Sequence, residues 1–177
     1  MTATVVVDTN VILVANEDHA DASPECVKEC VNRLQLIMYN GSIAIDDAFL
    51  IIKEYQNKTN NKSGKGAGDV FLKWVLTHMA NSTRVQQVTL TQISKDHFAE
   101  FPVSSLESEF DRPDRKFAAV ANAHPNKPPI LQAVDCKWLD WWPQLHAAKV
   151  QVEFLCGADI CRFYQKKFPR KPMPALP

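Results

Sequence analysis

The sequence predicts a three-layer α/β/α fold around a central, mostly parallel five-stranded sheet, and three observations predict it. Strand-type apolar runs alternate with helix-type periods along the chain, the order that puts a helix into each crossover between parallel strands. The opening run Val5-Val6-Val7 is β-branched and apolar without polar alternation, as suits a strand covered on both faces. Two such runs end at once in an acid, at Asp8 and at Asp135, and in open α/β sheets ligands sit outside the carboxyl ends of the strands.

Taken in order, residues 4–7 are the first strand and 11–15 a short helix. Asp8 between them reads either as a carboxylate aimed into a crevice or as the N-cap of that helix. Ser23-Pro24 starts the next helix with a capping serine and a proline in first position. Cys26, Val27, Cys30, Leu34, Ile37 and Met38 follow at its period, and Asn40-Gly41 closes it. Ile43-Ala44-Ile45 is a second strand ending at Asp46-Asp47. Asp46 reads mainly as the N-cap of a helix through Phe49, Leu50, Ile51, Ile52 and Tyr55, an apolar surface that Glu54 interrupts. Residues 57–68 are the clearest loop, carrying Lys58, Lys62 and Lys65. Gly64, Gly66 and Gly68 within it lack the preceding strand and the Walker pattern of a phosphate cradle.

A helix over 69–80 and a strand over 85–90 come next. The connector 91–113, punctuated by Pro102 and Pro113, is expected to hold short helical turns. Asp114 opens a helix through Phe117 and Val120 that His124-Pro125 stops. Residues 130–134 are a fourth strand, 138–147 a helix containing Pro143, and 150–155 a last strand.

At 177 residues one core is expected, with no internal repeat. Formal net charge is zero, so nucleic acid would have to be gripped by local patches rather than by the whole surface. No apolar run approaches the roughly 18 residues of a membrane span, and the expectation is a soluble, cytoplasmic chain without a membrane partner. The five cysteines show no framework spacing and read as reduced thiols in or near the core, with a metal site as the lesser alternative.

The acids are the chemistry-bearing feature. A parallel sheet brings Asp8 and Asp135 to one edge, with Asp114 at a helix start beside them, although each alone is explained as a cap or turn residue. Carboxylates so gathered raise one another's pKa unless a cation neutralises them. A hard divalent ion with oxygen ligands, Mg²⁺ or Mn²⁺, is the natural solution.

These segments resemble a PIN-domain nuclease. Val5-Val6-Val7-Asp8-Thr9-Asn10-Val11 is similar to the family's opening, and Glu54 in Ile51-Ile52-Lys53-Glu54-Tyr55 to its second acid. Asp114-Arg115-Lys116-Phe117-Ala118-Ala119-Val120-Ala121 resembles the third-acid helix, and Ile130-Leu131-Gln132-Ala133-Val134-Asp135, followed by Trp138, the fourth-acid strand. The likeness spans residues 4–155. It implies a metal-dependent endonuclease acting usually on RNA, with Asp8, Glu54, Asp114 and Asp135 holding one or two Mg²⁺ or Mn²⁺ ions. Residues 1–156 would then be the nuclease domain and 157–177 a basic, Pro-rich tail. The resemblance further implies RNA or single-stranded DNA, an antitoxin or operon protein, and a second copy of the chain as partners.

The departures are specific. Lys137 stands two residues after Asp135, where the family often has another acid; Asp140 either supplies that charge or is solvated. Asp111 rivals Asp114 for the third position, while Asn10 and Thr9 orient a carboxylate or only brace the turn. Substrate grip is assigned to Lys58, Lys62 and Lys65, and to Arg162, Lys166 and Lys167, which interleave with Phe163, Tyr164 and Phe168. The rival function is a PIN-fold scaffold that binds nucleic acid or protein without catalysis, which Lys137 favours. A haloacid-dehalogenase-type phosphatase would need an aspartate where Asn10 stands.

Overall fold

The computed structural model describes residues 3–59 and 64–177. β1 (Thr4–Val7) leads through α1 (Thr9–Ala15) and α2 (Pro24–Asn40) to β2 (Ser42–Asp46); α3 (Leu50–Lys58) and α4 (Ala67–Thr77) lead on to β3 (Val85–Val88). An antiparallel hairpin of β4 (Gln92–Ser94) and β5 (His97–Phe98), the one-turn α5 (Ser104–Glu107) and α6 (Arg115–Ala123) precede β6 (Ile130–Gln132). α7 (Trp138–Ala147), β7 (Val152–Phe154) and α8 (Gly157–Lys167) follow.

The central sheet has the order β3-β2-β1-β6-β7 with every pairing parallel, flanked by helices in the three-layer arrangement the sequence predicts. Val5, Val6 and Val7 are buried in its middle, registering Val5 on Ile43 and Val6 on Ile130. α1, α2 and α4 pack on one another, while α6 lies against β1, β2 and β6. The strand order reverses at β1, which puts the switch point, where ligands bind in such sheets, at the carboxyl ends of β1 and β6.

Three features differ from the sequence reading. The 91–113 connector forms the β4–β5 hairpin as well as helical turns, and inserts Phe98, Phe101, Leu106 and Phe110 into the interior. Phe110 stacks 4.1 Å from Trp141, a contact between distant segments that no local period announces. Residues 157–167 are a helix rather than tail, because Ile160 and Tyr164 bury themselves beside Cys136 and Leu139. Finally, the cysteines are not all reduced: Cys26 and Cys156 form a disulfide, and Cys30, Cys136 and Cys161 are free. The start of α2 and the end of β7 are 130 residues apart in sequence, so spacing alone hid that pair. Among the described residues no helix is long and apolar enough to cross a membrane.

Candidate metal centre

The chain leaves β1 at Asp8, whose backbone N–H still donates to the Leu131 carbonyl at 3.1 Å. The capping reading of Asp8 holds for one oxygen, and the other is placed differently. Oδ1 caps α1, accepting from the Asn10 backbone at 2.9 Å and from Asn10 Nδ2 at 2.5 Å. Oδ2 is buried with no hydrogen-bond partner, on a residue 4% exposed. An orphaned buried acceptor costs about 1–3 kcal/mol, more when charged. Burial pushes the Asp8 carboxyl up to about 7; the Asn10 N–H opposes this, Asp135 and Glu54 add to it, and Lys116 pulls it back.

The other acids converge from separate elements. Asp114 ends a single 3₁₀ turn, Arg112–Asp114, before α6, and Asp135 closes the turn after β6, accepting from the Lys137 N–H at 3.2 Å. One carboxylate oxygen from each of Asp111, Asp114 and Asp135 lies within 4.8 Å of the other two. Burial, then the charges of Asp8, Asp135, Glu54 and Asp111, drive the Asp114 carboxyl up to about 9. Asp135 is likewise raised by burial, against the Lys137 N–H and the nearby charge of Lys167. Of the four predicted acids, Asp114 and Asp135 join Asp111 in the close group, and Asp8 and Glu54 lie near enough for their charges to act on Asp114.

Two lysines enter the same cluster. Lys116, buried on α6, pairs with Glu54 Oε2 and also donates to the Pro113 carbonyl. Glu54 Oε1 accepts from the Thr9 hydroxyl at 2.6 Å, so both of its oxygens are engaged. Lys137 Nζ pairs with Asp111 Oδ2 at 2.5 Å. With all five carboxylates ionised, the charges of Lys116, Lys137 and Lys167 would leave an excess of negative charge, which the raised carboxyls of Asp8 and Asp114 relieve by holding protons. An all-carboxylate donor set with one buried, unpartnered oxygen fits a hard divalent cation and does not fit a soft one.

Sequence reasoning missed Lys116, Gln132 and Tyr55. Asn10 Nδ2 also donates to Gln132 Oε1, while Asn10 Oδ1 accepts from the Ala133 and Val134 N–H groups at 2.9 and 3.1 Å. Asn10 thereby ties the turn after β1 to the turn after β6. The Tyr55 hydroxyl donates to the Val7 carbonyl at the end of β1. The available signals were an amide inside an apolar strand (Gln132) and a lysine beside the alanine-rich core face of α6 (Lys116).

Other candidates lie elsewhere. Asp140 is not a member of the converging group: it accepts from the Tyr164 hydroxyl at 2.6 Å and pairs with Lys171 at 3.4 Å. Asp46 is the cap of α3, accepting from the Leu50 and Ile51 N–H groups at 2.8 and 2.9 Å. Lys58, Lys65 and Lys166 are exposed. Arg162 donates to the Asp21 carbonyl and pairs with Asp159 at 3.5 Å, so its guanidinium is engaged in the fold. The charge of Lys167 lowers the Asp135 carboxyl. Lys62 lies outside the described residues. No family model, curated protein or solved structure matches the chain.

Proposed function

We propose that the chain is a divalent-metal-dependent nuclease of the PIN-domain kind, hydrolysing phosphodiester bonds in RNA in preference to DNA. The observation that carries this reading is the buried, unpartnered Oδ2 of Asp8, at the switch point of a parallel sheet and among Asp114 and Asp135. Asp8, Asp114 and Asp135 would hold Mg²⁺ or Mn²⁺, and Asn10 keeps Asp8 in the one orientation that leaves Oδ2 free. A bound ion would acidify a water and offset charge on the phosphate. Glu54 acts here through Lys116 and Thr9, as the counter-charge that holds a buried ammonium beside the acids. Lys167, exposed at the end of α8, adds positive charge that acts on Asp135 and could meet a phosphate backbone.

The scaffold reading draws on the Lys116–Glu54 and Lys137–Asp111 pairs, which neutralise two carboxylates without metal. A mixed pool of RNA and single-stranded DNA incubated with Mn²⁺ separates the two. The nuclease reading expects cuts, mainly in RNA, that fall roughly a hundredfold or more in Asp8→Asn. A pool that is bound but left whole by both proteins supports the scaffold.

A further inference from the structure

A second cluster of ligand-type side chains lies apart from the acids, where the start of α2 meets the end of β7. Cys26 and Cys156 are joined there, and Cys30, one helical turn after Cys26, lies with its sulfur 3.9 Å from that of Cys156. The three sulfurs all fall within 4.8 Å of one another, and all three residues are buried. Around a tetrahedral Zn²⁺ with bonds of about 2.3 Å, sulfurs stand about 3.8 Å apart. A disulfide alone needs two cysteines; the third sulfur at this distance is what a two-cysteine brace leaves unexplained. Beside the cluster is a cavity of about 280 Å³ lined by Glu25, Glu29, Gly157 and Asp159 together with Cys26 and Cys156. It gives room for a fourth ligand, a water or a carboxylate.

We propose that Cys26, Cys30 and Cys156 form a redox-gated site for Zn²⁺, in which the disulfide is the metal-free oxidised state and the trithiolate the loaded reduced one. A dithiol reductant transfers two electrons and two protons, the Cys26–Cys156 bond breaks, and the reductant closes its own disulfide. Three thiols result, and Zn²⁺ takes the three sulfurs as their protons pass to solvent. Soft sulfur ligands separate this site from the carboxylate cluster, so the two would select different ions.

Co²⁺ added to the full-length chain tests this, since thiolate ligation gives intense near-ultraviolet charge-transfer absorption that carboxylates do not. The chain reduced with a phosphine is expected to gain the band at one Co²⁺ per chain and to lose it when Zn²⁺ is added. The oxidised chain and Cys30→Ser should lack the band, and Cys161→Ser and Asp8→Asn should keep it. Retention in Asp8→Asn also separates the fate of this site from that of the nuclease reading. A reduced chain without the band, or a Cys30→Ser chain that retains it, overturns the proposal. X-ray absorption on the Zn²⁺-loaded, reduced wild type needs no variant: three sulfur neighbours support the site, and oxygen and nitrogen neighbours alone refute it.

Discussion

Lys116 and Glu54 show how much of the candidate centre rests on pairings between distant segments. Their side chains are 8% and 17% exposed, so each charge depends on the other for its burial. Replacing Lys116 with Met strands Glu54 and is expected to cost about 3–5 kcal/mol. Adding Glu54→Gln to that variant should recover most of the loss. Urea unfolding of the two single variants and the double measures the coupling, and additive losses would show that the pair is not the reason. The four acids were legible in the sequence because each sits at a strand end, a helix start or a break in an apolar face. Lys116 was not, since a lysine near a helix start reads as solvated until its partner, 62 residues away, is brought against it. Asn10 was legible as an orienting group, but its hold on the turn after β6 needed the β1–β6 pairing.

Among the elements, β1 and β2 were readable from unbroken apolar runs, whereas the packing of α1 on α4 was not. Three glycines near three lysines look like a loop, yet Gly68 lies inside α4 and is a contact point with α1. A Cβ on Gly68 would stand 2.3 Å from the Ile12 carbonyl oxygen and 2.6 Å from Ile12 Cγ2. Alanine is a better helix former by about 1 kcal/mol, but this close approach overrides propensity. Gly68→Ala is expected to lower stability by about 1–3 kcal/mol in urea unfolding. A gain would mean that the two helices separate at little cost. α8 escaped the sequence reading for a related reason: its basic composition describes the exposed face, while Ile160 and Tyr164 on the other face fix it to α7.

For the whole molecule, the gathered acids make stability depend on pH in a direction opposite to that of salt-bridged carboxylates. Asp8 moves from its ordinary 3.8 up to about 7, and Asp114 up to about 9. The folded chain therefore holds protons that the unfolded chain has already released. The stability tied to these groups is complete below pH 3.8 and is lost as pH rises through 7 and then 9. Without metal, the melting temperature should fall from pH 5 to pH 9, less steeply in Asp8→Asn, and Mg²⁺ should flatten the wild-type curve. An equal slope in both proteins would place the pH dependence elsewhere.

Calorimetric titration of Mn²⁺ into the metal-free chain at pH 8 addresses the acid cluster most directly. One or two ions are expected to bind the wild type, and that binding to be lost in Asp8→Asn. Equal heats from the two proteins, or no heat from either, would contradict it.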